Sequence, residues 1–373
     1  MKILIIGDLY SANLGDGIIC ENVKEIIKKE NSEQKLQIKL VDIYCKNGYI
    51  KDDKSQAKVK RNNISDFIRS IIYKSEFITY KIQDIKTKKR IKKICEEHYD
   101  LAIFAGGHLF IPYFTFQIYN FVKYLSKNNV KIIFNGCGVG KIKSPILMHK
   151  IRKTLRNKNI LYVSSRDNID MLKQKYMCKS NIEVRKTYDP AIFTRDTYGI
   201  TKNENSKIIG LGVMKIGNIP EDTLIEFWKG IIEELNRKGY KWQIFCNGNK
   251  DDYILSCKVL KKLDMPIEEK YIAERPTLPK QLVETISRYH CLISCRLHSH
   301  IVAYSLDIPT IAIVWDEKIK FFFKNLSLEN RYFELEAKNI SKIIDKLVEI
   351  KDTHYDMQEM EKEKNVVVRN LKI

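Results

Sequence analysis

Cys291-Leu-Ile-Ser-Cys-Arg-Leu-His-Ser-His-Ile-Val-Ala-Tyr-Ser-Leu306 holds a whole strand-to-helix passage. The apolar run Cys291–Ser294 reads as a buried strand, and Ser299–Leu306 reads as a helix. Between them, Ser294–Cys295–Arg296–Leu297–His298 sets a guanidinium and an imidazole at a strand end, beside the N–H groups of a helix start. Such a junction is a ready anion site. Arginine grips carboxylate or phosphate in a fixed fork, and histidine moves a proton near neutral pH. The chemistry this points to is a small anionic substrate that must be protonated. A solitary Arg-x-His is also an ordinary surface feature; its position after a buried strand is what singles it out.

Outward from this passage, strand-like runs alternate with helix-length stretches. Lys2–Ile6, Leu36–Ile43, Leu101–Ala105, Val130–Phe134, Leu161–Ser164 and Glu183–Lys186 read as strands in the first half. Asp16–Lys29, Thr115–Lys127, Ile146–Leu155 and Asn168–Tyr176 read as helices between them. The polar stretch Thr194–Ser206 reads as a linker. The rhythm restarts with strands Lys207–Val213, Trp242–Phe245, Cys291–Ser294 and Thr310–Val314, separated by helices and closed by Ser341–Ile350 and Tyr355–Asn370. A βαβα order predicts parallel sheets covered on both faces. The expected fold is α/β, with Rossmann-like doubly wound domains over residues 1–195 and 207–373. Residues 46–94 show no clear strand and read as an inserted, mostly helical excursion. Two such domains predict a cleft, with ligands at the carboxyl ends of the strands.

The chain has 373 residues, and 44% of them are hydrophobic, which is ample for two cores. No signal peptide and no transmembrane run is read, and nine cysteines without framework spacing point to thiols in a reducing cytoplasm. Of the net charge of +20, half lies in Lys46–Cys95, with 15 Lys/Arg against 5 Asp/Glu. That stripe is either compositional or a peripheral contact for an anionic membrane; no nucleic-acid motif accompanies it.

Other motifs also follow strands. Asn13-x-Gly15–Asp16 turns into the first helix, with Asp16 either its N-cap or a partner for an acceptor hydroxyl. Gly106 and Gly107 let backbone approach a ligand, and His108 follows them. Asn135–Gly136–Cys137–Gly138–Val139–Gly140 repeats the device after the next strand. Ser165–Arg166–Asp167 opens a helix, where Arg166 is placed to clamp an anion and Asp167 suits the dipole. Asp189–Pro190 reads as a turn. The spacing of His290, Cys291, Cys295, His298 and His300 matches no common zinc pattern. Nucleophile-elbow, Walker A and metalloprotease motifs are absent.

Taken in order, Asn13-x-Gly15–Asp16, Ala105–Gly106–Gly107, Ser165–Arg166–Asp167, Asp189–Pro190–Ala191, Arg296–Leu297–His298 and Trp315–Asp316–Glu317–Lys318 resemble the polysaccharide pyruvyl transferase family. The resemblance implies two Rossmann-like domains in a GT-B-like arrangement. It implies transfer of pyruvate from phosphoenolpyruvate to a sugar diol of a cell-surface polysaccharide precursor, as a cyclic ketal, with phosphate released and no cofactor or metal. It assigns Arg166, Arg296, Leu297 and His298 to the donor, with His298, Arg296 and Arg166 catalytic. Asn13, Gly15, Asp16, Gly106, Gly107, His108, Asp316 and Lys318 are then expected at the acceptor or cleft. The acceptor would be a sugar or lipid-linked oligosaccharide. This chain departs from the family at His108, Trp315 and Glu317. A GT-B glycosyltransferase using a nucleotide sugar, and a non-catalytic glycan- or lipid-binding protein, are the competing classes.

Overall fold

Short runs rich in Ile, Leu, Val and Phe form most strands of this computed structural model, which describes residues 1–33, 35–49 and 76–372. The chain divides into two compact units. Unit 1 comprises Met1–Tyr10, Val23–Tyr188 and Val367–Ile373; unit 2 comprises Ser11–Asn22 and Asp189–Val366.

Unit 1 is built on β1 (Lys2–Gly7), β2 (Gln37–Asp42), β3 (Leu101–Phe104), β4 (Gly107–Phe110), β5 (Lys131–Phe134), β6 (Cys137–Val139), β7 (Ile160–Ser165) and β8 (Glu183–Lys186). Six of these form one parallel sheet in the order β2-β1-β3-β5-β7-β8. Its helices are α1 (Leu14–Glu30, shared with unit 2), α2 (Glu76–Cys95), α3 (Thr115–Lys127) and α4 (Pro145–Thr154). Phe104 and Phe134 stack at 4.2 Å in its core. The pair β4–β6 was not anticipated: each is a short continuation beyond a glycine turn at the end of β3 or β5. The expected helix Asn168–Tyr176 is one short turn, Ile169–Met171, followed by a wider π-turn, Leu172–Tyr176.

Unit 2 carries β9 (Ile208–Gly212), β10 (Lys241–Phe245), β11 (Cys291–Ser294), β12 (Thr310–Val314) and β13 (Tyr332–Glu334), all parallel in the order β10-β9-β11-β12-β13. Its helices are α5 (Thr194–Tyr198), α6 (Glu221–Arg237), α7 (Lys250–Lys262), α8 (Pro279–Ser287), α9 (Leu297–Ser305), α10 (Glu317–Asn325), α11 (Ile340–Ile350) and α12 (Met357–Leu371). β13 and α10 escaped the sequence reading: β13 is only three residues long and α10 only nine. In both sheets the first strand lies between the second and third, so the strand order reverses there. Ligands of doubly wound sheets bind at that switch point.

The unit boundaries differ from 1–195 and 207–373. Leu14 N donates to Asn247 O at 3.0 Å, and Asn22 Nδ2 donates to Pro190 O at 3.0 Å and Thr194 Oγ1 at 3.2 Å. These bonds hold the first half of α1 to unit 2. At the other end, Tyr162 donates its hydroxyl to Asn370 O, tying the tip of α12 to unit 1. The expected linker begins with α5, ended by Gly199 at φ +63. Of the excursion, α2 is helical as expected; residues 50–75 lie outside the described residues. No helix among the described residues is long and apolar enough to cross a membrane. No disulfide joins the cysteines; burial pushes the Cys246 and Cys291 thiols up to about 12.

Candidate functional site

In unit 2 the passage Cys291–Leu306 becomes β11 and α9, and its junction lies at the switch point beside the end of β9. The helix begins two residues earlier than expected. Arg296 is its N-cap in extended conformation, and Leu297 and His298 fill the first turn. His298 and Leu297 are buried.

Arg296 turns its fork onto Asp252 of α7. Its Nε donates to Oδ2 at 3.0 Å and its Nη2 to the same oxygen at 2.5 Å. Asp252 is buried, and its Oδ1 also accepts from Lys215 N at 2.9 Å. Burial pushes the Asp252 carboxyl up from its ordinary range, and Arg296 opposes that shift. Sequence reasoning missed Asp252. Its signal was the Asn247–Gly248–Asn249 turn after β10, the same strand-end position as the other motifs.

His298 meets residues from two distant parts of the sequence. Asn13 Nδ2 lies 3.5 Å from His298 Nδ1, and Asp189 Oδ2 lies 3.8 Å from Nε2. Asn13 Nδ2 also donates to Asp16 Oδ2 at 3.1 Å, which fixes which end of the amide faces the ring. In the neutral imidazole, Nδ1 then accepts and Nε2 carries the proton toward Asp189. Asn13 Oδ1 is buried with no hydrogen-bond partner among the described residues. A Cβ on Gly15 would stand 2.2 Å from the His298 ring, so only glycine lets α1 pass there. Asp16 lies in the first turn of α1, which starts at Leu14, rather than at its cap. Asp189 caps the following turn through Ala191 N at 2.8 Å, as its Asp-Pro sequence predicts, while its other oxygen faces the imidazole. Ser299 anchors the same helix start by donating to Asn247 Oδ1 at 2.8 Å.

Asp316 and Lys318 form their own turn after β12. Asp316 caps α10 by accepting from Lys318 N at 3.0 Å, and the Lys318 ammonium sits 4.8 Å over the Trp315 ring. Trp315 Nε1 donates to Cys295 O at 2.7 Å, which joins this turn to the residue before Arg296.

Unit 1 holds the remaining predicted residues at the ends of β3, β5 and β7. Gly106 and Gly107 have φ of +117 and +81, a conformation that favours glycine. A Cβ on Gly140 would stand 2.8 Å from His108 Nε2, and one on Gly138 would stand 2.9 Å from Asp167 Oδ2. Asp167 Oδ1 accepts from Val139 N at 2.9 Å and Asn168 N at 2.7 Å, so it pins the second glycine loop. Arg166 is buried beside it, opposing the rise that burial imposes on the Asp167 carboxyl.

His300 has a structural place. Its Nε2 donates to Ser294 O at 3.1 Å and its Nδ1 accepts from Thr310 Oγ1 at 2.6 Å. Burial lowers its pKa to about 3, so it stays neutral. Among the described residues, no group of three His, Cys, Asp or Glu is placed to hold a metal ion.

Similar solved structures cover nearly the whole chain. S. aureus MnaA with UDP is 11% identical at a TM-score of 0.58, over 100% of this chain and 92% of that one. The UDP-GlcNAc 2-epimerase from Neisseria meningitidis bound to UDP-GlcNAc is 12% identical at 0.57, over 100% of both chains. The UDP-GlcNAc 2-epimerase from Methanocaldococcus jannaschii is 11% identical at 0.58, over 99% of this chain and 100% of that one. At such identities the likeness shows the fold alone, the GT-B class with its parallel α/β sheets. Comparison with curated proteins gives no significant match. The model of one family, polysaccharide pyruvyl transferase, matches residues 13–317, a span that opens at the asparagine beside His298 and closes just past Asp316. The chain belongs to the polysaccharide pyruvyl transferase family.

Proposed function

We propose that the protein transfers pyruvate from phosphoenolpyruvate to two hydroxyls of a sugar as a cyclic ketal, releasing phosphate. The observation that carries this reading is the setting of His298, with a carboxylate on one side, an amide on the other and an arginine two residues away. The reaction needs a proton at C3 of the enol, which leaves C2 oxocarbenium-like. One sugar hydroxyl adds to C2, phosphate leaves, and the second hydroxyl closes the ring. Of the two hydroxyl protons, one replaces that given to C3 and the other departs with phosphate. His298, protonated to the imidazolium, is the acid in this scheme, and the Asp189 carboxylate beside Nε2 favours that charged form.

Phosphoenolpyruvate has a carboxylate and a phosphate, and Arg296 and Arg166 are the two cations assigned to them. Asp252 engages two of the five N–H donors of Arg296 and so fixes the plane of the fork, leaving three outside that pair. Leu297 lines the donor. Asn13 Oδ1 is an acceptor suited to a sugar hydroxyl, and Asp16 orients it; Gly106, Gly107, His108, Asp316 and Lys318 are assigned to the acceptor side. A sugar or lipid-linked oligosaccharide in the cytoplasm is the proposed acceptor. The test is incubation with phosphoenolpyruvate and galactosides or N-acetylmannosaminides, read by phosphate release and by the ketal mass gain. No phosphate release with any diol would overturn it.

A nucleotide-sugar donor is the second reading, supported by UDP and UDP-GlcNAc in the structurally similar proteins. Release of UDP from a UDP-sugar, with phosphoenolpyruvate inert, would establish it instead.

A further inference from the structure

Among the described residues, unit 1 has one face with almost no negative charge. Between Ile85 and Cys95, α2 carries Lys86, Lys88, Lys89, Arg90, Lys92 and Lys93 and no acidic residue, and all six cations are exposed. From Leu101 to Arg166 there are 11 Lys/Arg and no Asp or Glu at all. α2 packs on α3, and α3 packs on α4, so these segments share one side of the unit. The one acidic residue of α2 beyond Tyr80, Asp84, is buried and accepts from Lys81 at 2.7 Å and Asn120 at 2.6 Å.

Lysines crowd two aromatic rings there. Lys81 lies 4.9 Å over Phe116, and Lys150 lies 3.8 Å over Tyr119. Burial and the charges of Lys81, Lys123 and Lys153 hold the Lys150 ammonium below its ordinary pKa. Beside them is a groove of about 310 Å³ lined by Tyr119, Lys123, Ser126, Lys127, Lys153 and Asn157. Two aliphatic side chains break the polar surface of α2, Ile82 at 38% exposed and Ile85 at 68%. At spacings of three and four, Ile82, Ile85, Lys86, Lys89 and Lys93 form one stripe.

We propose that the face formed by α2, α3 and α4 docks the protein on an anionic lipid bilayer, with the lysines meeting phosphate headgroups and Ile82 and Ile85 entering the acyl boundary. Charge complementarity selects an anionic surface, and the exposed isoleucines select a membrane over a nucleic acid, whose phosphates give an aliphatic side chain nothing to bury against. The neighbouring run Phe110–Phe114 adds little aromatic surface: Phe110 and Phe114 are buried and Tyr113 is exposed. The proposal stands apart from the choice of donor.

The test is co-sedimentation of the full chain with vesicles of phosphatidylcholine alone or with phosphatidylglycerol, at low and high salt. Binding is expected to the anionic vesicles at low salt only. Lys86→Glu/Lys89→Glu/Lys93→Glu should weaken it about tenfold or more, since each cation near an anionic surface matters. Ile82→Ser/Ile85→Ser should weaken it severalfold. A Lys→Gln triple at the same positions, with thermal melts of each variant, separates lost charge from lost fold. No binding at low salt, binding indifferent to charge reversal, or displacement from vesicles by duplex RNA would each overturn the proposal. Turnover of a water-soluble acceptor should be unchanged in every variant, which keeps this result separate from that of the chemistry.

Discussion

The strand-end clusters of the two units are built from the same parts and use them differently. Each sits on a sheet whose first strand lies between its second and third. Each gives a histidine room by removing a Cβ, Gly15 for His298 and Gly140 for His108. Each holds an aspartate near an arginine, half-buried Asp167 in unit 1 and buried Asp252 in unit 2. In unit 1 the carboxylate of Asp167 is spent on backbone N–H groups and holds a loop in shape. In unit 2 the carboxylate of Asp252 holds the arginine itself, and a second carboxylate, Asp189, faces the histidine. A loop anchor tolerates neighbours that move; a held fork and a flanked imidazole are pre-positioned for a ligand.

The sharpest break would come at His298. His298→Ala should lower turnover about 10²–10⁴-fold with the fold retained, the usual cost of losing a general acid. Phosphate release and a thermal melt read the two effects apart. His108→Ala should cost less, because its ring packs against the second glycine loop at Gly138 and Gly140; equal losses would erase the contrast.

Gly15→Ala tests whether the cleared space matters. Its Cβ would overlap the imidazole, which must swing away from Asp189. A misplacement near 1 Å costs about a hundredfold in rate. Unchanged turnover would mean that the ring position is not critical.

The two arginines should separate in stability. Arg296→Ala leaves Asp252 buried without its fork, at a cost of about 3–5 kcal/mol in chemical denaturation. Adding Asp252→Asn should recover most of it. Arg166→Ala should cost less, since the hydrogen bonds of Asp167 remain. Both should raise the phosphoenolpyruvate KM about tenfold. Equal stability losses would remove the distinction between held fork and loop anchor.

The smallest effect is in acid. His300 has a folded pKa of about 3 against 6.5 in the unfolded chain. Below pH 6.5 the unfolded chain takes up a proton that the folded chain refuses, so stability falls as pH falls. The slope is about 1.4 kcal/mol per pH unit until the folded pKa is reached, and above pH 6.5 the contribution is flat. His300→Gln should flatten that part of the profile measured by denaturation at pH 4.5 to 6.5.

Much of this was legible in the residues. The strands Cys291–Ser294 and Thr310–Val314 have the bounds expected, because continuous apolar runs between turn residues admit little else, and the polar strand Glu183–Lys186 also has its expected bounds. The three-residue strand β13 and the short pair β4–β6 were not legible, since only their neighbours make them strands. Arg296 and His298 stood out by type and position. Asp252 did not, because the turn before it marks a strand end but nothing local marks which carboxylate there takes the arginine.

The sequence by itself determined the alternation of strand and helix, the strand-end positions of the motifs, and the acid-free run of unit 1. These are local properties, set by side-chain period, turn chemistry and composition. The tertiary structure alone decided that Gly15 exists for His298, that Asp189 caps a turn with one oxygen and faces an imidazole with the other, and that Arg296 is held by Asp252. Those pairings join residues far apart in the chain. Only the strand order of a folded sheet brings them together, because no local preference encodes which strand end lies beside which.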